Sequence, residues 1–264
     1  MVNNEIKFVP CKWEEIHSSV AEYILANNIT IESFWEGHVL ESNHYKMVCG
    51  GTLAGYFAIH KEKTIMLFNV FPPYANQAQE LFARVKKYES VTNAMVATGD
   101  EFLLAHCFDN FSRIEKQAYV SIYTDKEIPG ERQKEIALRL ADIDRDAEIL
   151  KLSGDFLNDI IEEKRDGADH LEVYIAEHGG NVVGFGVIDY GRVIKDISSI
   201  GMYVCEQYRR QGFAANILQQ LKHISLDKGC RRVLSGCWYY NHNSKKSMES
   251  AGAYSKTRLM RFYF

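Results

Sequence analysis

Apolar residues at positions 213, 217, 221 and 224 recur at spacings of four and three, which predicts a helix over 213–228 with one buried face. Gly229 follows as a candidate C-terminal cap. On either side the pattern shortens into β-prone runs. These predict strands at 197–204 and 232–238, then a helix at 244–251 and a strand at 255–264. The first half of the chain shows the same order of elements. Strands are expected at 64–71, 93–97 and 118–124, with helices at 75–87 and around 102–107.

A hairpin signal precedes each series. Residues 50–59 read GGTLAGYFAI and residues 179–188 read GGNVVGFGVI, 129 residues further on. In both, a Gly-Gly pair joins two short β-prone runs. A strand over 136–140 and helical segments over 144–152 and 156–165 precede the second hairpin. The prediction is two tandem copies of one α/β (α+β) unit, each a mixed sheet with flanking helices. The division falls near Glu127-Ile128-Pro129-Gly130, giving domains 1–128 and 129–264.

Apolar residues make up 46% of the 264-residue chain, enough for a full core and against wholesale disorder. No run approaches the roughly 20 apolar residues of a membrane span, and residues 1–10 lack the basic-then-apolar pattern of a signal peptide. Six cysteines without a C-x-x-C pair are expected as reduced thiols in a cytoplasmic protein. Nine histidines show no H-E-x-x-H and no paired Cys/His spacing, so no metal is expected. The net charge of −4 argues against nucleic acid, but its distribution is uneven. Residues 209–264 carry eleven Lys and Arg against Asp227 and Glu249, a balance of +9, which leaves −13 in residues 1–208. That places a candidate site for a polyanionic ligand in the C-terminal segment.

The stretch from Val204 through Arg209, Arg210, Gln211, Gly212, Phe213 and Ala214 joins a predicted strand to the 213–228 helix. Helix N-termini present backbone N–H groups without intrahelical partners and the positive end of the dipole, a natural phosphate site. Gly212 permits positive φ or close approach of the backbone to a ligand.

Arg209-x-x-Gly212-x-Ala214 matches the R/Q-x-x-G-x-G/A fingerprint of the GNAT acetyltransferases, and residues 134–264 resemble that superfamily. The resemblance implies that this loop cradles the pyrophosphate of acetyl-CoA as cosubstrate. It also implies that Met202, Tyr203 and Val204 lie beside the pantetheine arm. Asn241 and Ser244, opening the next helix, look like the family's later N-x-x-S element, and Glu249-x-x-Gly252 like its E-x-x-G. By composition alone Asn241 is also a good helix cap. The segments 235–241 and 257–261 resemble the branch similar to the zwittermicin A resistance acetyltransferase. The first repeat has Phe71-Pro72-Pro73-Tyr74 where the loop should recur, without Arg and with two donors removed by proline, so that copy reads as degenerate.

An aliphatic amine with pKa near 10.4 is neutral in fewer than about one molecule in a thousand at pH 7, so acetyl transfer to it needs a route for its proton. Relatives carry a Glu on the strand before the loop. Here Asp196, Ser198 and Ser199 are the candidates. Relatives also use a Tyr before the E of E-x-x-G, where this chain has Met248, and Tyr239, Tyr240 or Tyr254 are the substitutes. The expected function is acetyl transfer from acetyl-CoA to a primary amine of a small cationic metabolite or antibiotic, with no nucleic-acid or membrane partner and room for a homodimer. The alternatives are a CoA-binding pseudo-enzyme or interaction protein, and an acyl- or aminoacyltransferase with a larger donor.

Overall fold

A computed structural model describes residues 5–88 and 90–264. Among the described residues two compact units are formed, one ending at residue 118 and taking in residues 257–264, the other from residues 119–256. They do not coincide with the two sequence halves, because each unit takes its last strand from the other half.

In the first unit β1 (Lys7–Cys11), β2 (Asn43–Cys49), β3 (Thr52–His60), β4 (Thr64–Val70) and β5 (Asn93–Ala97) lie in that order. Residues from 257 onward extend the sheet, with Leu259 opposite Ala97 and Tyr263 opposite Asn93. Helices α1 (His17–Ala26), α2 (Ser33–Leu40), α3 (Ala78–Lys86) and α4 (Glu101–Phe108) flank it. The core gathers Phe57, Ile59, Phe68, Phe82, Val85 and Phe262, all essentially inaccessible.

The second unit has β6, whose full span is Arg113–Tyr123, then β7 (Ala137–Leu140), β8 (Leu171–His178), β9 (Asn181–Tyr190), β10 (Ile197–Val204) and β11 (Arg232–Trp238). Their order in the sheet is β6-β11-β10-β9-β8-β7. Helices α5 (Ala147–Leu150), α6 (Asn158–Arg165), α7 (Phe213–Asp227) and α8 (His242–Ser250) flank it. The last strand, β12 (Ala253–Tyr263), begins in this unit and ends in the first. Phe213, Ile217, Leu218 and Leu221 of α7 pack on Ile200 and Val204 of β10. The opposite face of the sheet carries Val173, Ile175 and Phe185 against Leu150 and Leu157.

The repeat seen in the sequence is a repeat of fine structure. Both Gly-Gly hairpins turn through two residues of positive φ, 56° and 87° in the first and 55° and 77° in the second, the twist that matches antiparallel strands. Both have a bulge at the corresponding place. In the first hairpin Gly55 faces Met47 while Leu53 faces Val48. In the second Gly184 faces Ala176 while Val182 faces Glu177. Ala54 and Val183 are therefore the extra residues. Next to each bulge sits a glycine that nothing larger can replace. A Cβ on Gly55 would stand 2.3 Å from the carbonyl oxygen of Asn69, and one on Gly184 would stand 2.2 Å from that of Tyr203.

Three elements depart from the sequence expectation. The helix expected over 75–87 opens as a 3-10 turn, Pro72–Gln77, and α3 begins only at Ala78. The helix expected over 144–152 is reduced to α5 followed by a 3-10 segment, Lys151–Leu157, which Gly154 interrupts with φ 59°. The strand expected at 118–124 starts five residues earlier, at Arg113.

Candidate functional site

β10 and β11 are parallel neighbours, yet their ladder holds only Ile197, Ser198 and Ser199 opposite Arg232, Val233 and Leu234. Both strands continue, so from Ile200 onward a gap opens between them. The Ser235 hydroxyl donates to the Ile200 carbonyl at 2.6 Å, which shows that the polar groups of Ile200 face β11. Strand alternation then points the N–H and C=O of Met202 into the gap. On the other edge β10 stays paired with β9 from Ser198 to Val204. Because the two strands run the same way, their C-terminal ends and the loops that follow lie at one end of the sheet, where open α/β sheets build ligand sites.

Beyond Val204 the chain makes a 3-10 turn, Glu206–Tyr208, and then enters α7. The Arg209 Nε–H donates to the Val204 carbonyl at 3.2 Å, and its guanidinium lies 5.7 Å from the Tyr203 ring centre. Arg209 thus braces the loop on the strand it leaves. Arg210 and Gly212 both have left-handed backbone, φ 63° and 90°. Gly212 is the residue before the first turn of α7 and has no side chain to cap it. The N–H groups of that first turn have no intrahelical partner and open onto exposed loop. A Cβ built on Gly212 meets only Lys134, at 3.9 Å. The positive φ and the open space together form a cradle that suits a phosphate on backbone N–H groups.

Asn216, one turn into α7, is 5% exposed and fixes this entrance. Its amide donates to the carbonyls of Gly212 at 3.0 Å and Arg132 at 3.2 Å, and its oxygen accepts from the N–H of Lys134 at 2.8 Å. The strap from residue 127 to residue 136 is tied along the rest of α7. Lys222, 3% exposed at its side chain, donates to Glu127 at 2.6 Å, and Gln220 donates to the Ile136 carbonyl at 2.9 Å. Burial pushes the Glu127 carboxyl up, but hydrogen bonds from Lys222 and His223 outweigh it and hold the group below its ordinary value. Sequence reasoning missed this strap, since residues over 80 positions apart along the chain carry no motif.

The remaining sequence candidates fall as follows. Phe213 is buried and Ala214 half-buried at the head of α7, while Arg209, Arg210 and Gln211 are exposed. Met202 and Tyr203 are half-buried and Val204 is buried. Asn241 lies across the gap, at the end of β11. Its side-chain oxygen accepts the Ser244 N–H at 3.1 Å, so the helix cap is formed while the amide NH2 stays on exposed loop. Asp196 forms an ion pair with Arg231, and its carbonyl accepts the Arg231 N–H at 2.7 Å, tying the closed end of the two strands. Ser198 is fully enclosed. Tyr254 is 51% exposed at the start of β12. Metal-holding clusters are absent among the described residues.

In the first unit β4 and β5 diverge likewise, after Thr64 opposite Asn93 and Ile65 opposite Ala94. There the space is filled from within by Trp35, Tyr56, Met66 and Met95, all buried, leaving a small pocket beside Asp100. The Tyr23 hydroxyl donates to Asp100 at 2.7 Å, and the Leu103 N–H donates to the same oxygen at 3.1 Å. Burial raises the Asp100 carboxyl to about 6 despite these bonds.

A search of curated proteins finds no match. Among solved structures, an acetyltransferase from the GNAT family of Colwellia psychrerythraea superposes with a TM-score of 0.83 at 17% identity, over 98% of this chain and 99% of that one. A tandem GNAT protein from the clavulanic acid biosynthesis pathway gives 0.60 at 12%, over 98% of both chains. A GNAT-type N-acetyltransferase from Sphaerobacter thermophilus gives 0.61 at 15%, over 100% and 97%. These likenesses concern the fold. The models of an acetyltransferase (GNAT) domain and of the acetyltransferase (GNAT) family match residues 12–124 and 139–253 respectively. The chain therefore belongs to the GNAT acetyltransferases and carries two such domains in tandem.

Proposed function

We propose that the second unit binds acetyl-CoA and passes its acetyl group to a primary amine of a small metabolite. The single observation that carries this reading is the junction of β10 and α7: a strand edge opened by divergence from β11, followed by a left-handed glycine at a helix N-terminus. Acetyl-CoA, when bound, supplies an activated thioester acyl group. The first-turn N–H groups of α7 would hold its diphosphate, with Arg209, Arg210, Gln211, Gly212, Phe213 and Ala214 as the loop. Met202, Tyr203 and Val204 would line its arm on one side, with Asn241 and Ser244 on the other. The Met202 N–H, which strand alternation points into the gap, would donate to charge developing on a carbonyl oxygen.

Of the three candidates for taking the amine proton, Asp196 is engaged by Arg231, Ser198 is enclosed and Ser199 is buried. For the separate task of protonating the leaving sulfur, Tyr240 and Tyr254 are both exposed, and Tyr240 packs edge-on against Trp238 and Tyr239, so we assign the role to Tyr254. We read the first unit as a GNAT fold that binds no CoA, because its divergent strands are packed with aromatic and methionine side chains and its loop is a proline-led 3-10 turn. The division of the repeats at 128/129 and the likeness to the zwittermicin A resistance branch belong to this same reading.

The acceptor we favour is cationic, since residues 1–208 carry −13. Individual acids near the second hairpin are already engaged, Asp189 by His170 at 2.9 Å and Glu172 by Lys228, Tyr174 and Tyr190. The attraction is therefore assigned to the summed surface field, which salt screens over about 8 Å. The test is acetyl-CoA turnover, read with a thiol-trapping reagent, over polyamines, aminoglycosides, and amino-sugar and peptide antibiotics at low and high salt. Turnover of cationic amines with KM rising in salt supports the reading. Turnover of neutral or anionic acceptors alone, or a salt-independent KM, overturns the electrostatic part. Absence of turnover across the panel counts against acetyl transfer to such amines.

A further inference from the structure

We propose that Lys134, on the strap that precedes β7, is a diphosphate-binding residue of the acetyl-CoA site, an inference that rests on the reading above. Lys134 lies 78 residues before Gly212 and outside the family's loop motif. Two observations place it at the loop. Its Cε stands 3.9 Å from where a Cβ on Gly212 would be, and its Nζ lies 6.0 Å from the centre of the Phe213 ring. The backbone beneath it does not wander, because the Lys134 N–H is held at 2.8 Å by the buried Asn216 oxygen, and the same side chain grips the Gly212 carbonyl. Lysine and glycine are thus positioned by one residue.

The charges around the ammonium fit an anion. Lys134 is exposed, and its ammonium has no acidic partner among the described residues. The ring of Phe213 beneath it is also met by His178, at 5.2 Å, whose Nδ1 is held by the Glu135 carbonyl at 2.6 Å. Arg209, the motif's own arginine, has its Nε spent on the Val204 carbonyl and its guanidinium over Tyr203. A point charge from the strap therefore supplies what the braced arginine gives less of. Lysine suits a phosphate as such a charge, and the helix N-terminus adds to it. The strap becomes part of the cofactor site rather than a mere connection between repeats.

The test is calorimetric titration of the full chain with CoA and with 3′-dephospho-CoA, for wild type, Lys134→Ala and Lys134→Arg. The expected result is that Lys134→Ala weakens both ligands alike, by about tenfold, that Lys134→Arg restores most of the affinity, and that thermal melting of the free proteins is unchanged because the Lys134 N–H remains. Equal affinity of Lys134→Ala and wild type overturns the proposal. So does a loss for CoA without a loss for 3′-dephospho-CoA, which would move the lysine to the 3′-phosphate. If wild type binds neither ligand, the acetyl-CoA reading itself falls and takes this inference with it, a result distinct from the other two.

Discussion

The backbone N–H of Cys205 donates to the carbonyl of Val183 at 3.0 Å, and the first unit repeats the bond from Phe71 to Ala54 at 2.8 Å. Val183 and Ala54 are the extra residues of the two bulges. A bulge leaves its residue out of the ladder, and here that residue's carbonyl anchors the chain where it leaves the central strand. The bond sets where the strand ends and the loop begins. In the second unit that loop runs on to a left-handed Gly212, and in the first to Pro72 and Pro73.

Gly184 should tolerate no substitution. A Cβ there would lie 2.2 Å from the Tyr203 carbonyl oxygen, a backbone atom that cannot step aside alone. Gly184→Ala is expected to destabilise the protein by about 2–3 kcal/mol, within the range for overpacking a core. Chemical denaturation followed by circular dichroism checks this. A loss below about 0.5 kcal/mol, typical of neutral surface changes, would show that the bulge is not the constraint described.

Asp100 should make the first unit more stable in mild acid. Its native carboxyl sits at about 6, above its ordinary value. Between the unfolded and native values the folded state binds the extra proton. The stabilising neutral form is complete below the unfolded value and is lost as pH rises through about 6. Asp100→Asn keeps an oxygen for Tyr23 and Leu103 and has no proton to lose. The stability of wild type minus that of the variant should therefore fall by about 2 kcal/mol between pH 4 and pH 7, at 1.36 kcal/mol per pKa unit. A flat difference across that range contradicts the assignment.

The strap depends on Glu127. Lys222 is 3% exposed at its side chain, and Glu127 is the acid that meets it. Glu127→Gln leaves that lysine charged and poorly compensated, at a cost of about 2 kcal/mol. Lys222→Met together with Glu127→Gln should recover part of the loss, since an apolar side chain needs no partner. Thermal melts of the three variants decide. Equal melting of wild type and Glu127→Gln would mean the pair contributes nothing.

Much of this architecture was legible in the chain. The strands at 93–97, 197–204 and 232–238 match β5, β10 and β11 end to end, because each is a short β-prone run bounded by turn or loop residues. The Gly-Gly turns of the repeated GGxxxG pattern were legible too, since a hairpin turn with positive φ has a local steric cause. What the sequence did not reveal is non-local. Nothing near Lys134 announces Gly212, and nothing near residue 257 announces a partner at Ala97. Those pairings come from topology. The loop 209–214 was found from its motif, whereas the catalytic candidates were named from family positions. Burial and ion pairing then told against Ser198 and Asp196 as acceptors of the amine proton.

The most direct measurement of the central claim is the stoichiometry and affinity of acetyl-CoA by calorimetry, on wild type and Gly212→Glu. A side chain at Gly212 must adopt φ near 90° and would put a carboxylate where a phosphate is to sit. The account predicts one acetyl-CoA per wild-type chain, and at least tenfold weaker binding by Gly212→Glu, about 1.4 kcal/mol. Two acetyl-CoA molecules per chain, or a Gly212→Glu protein that folds and binds as tightly as wild type, would contradict it.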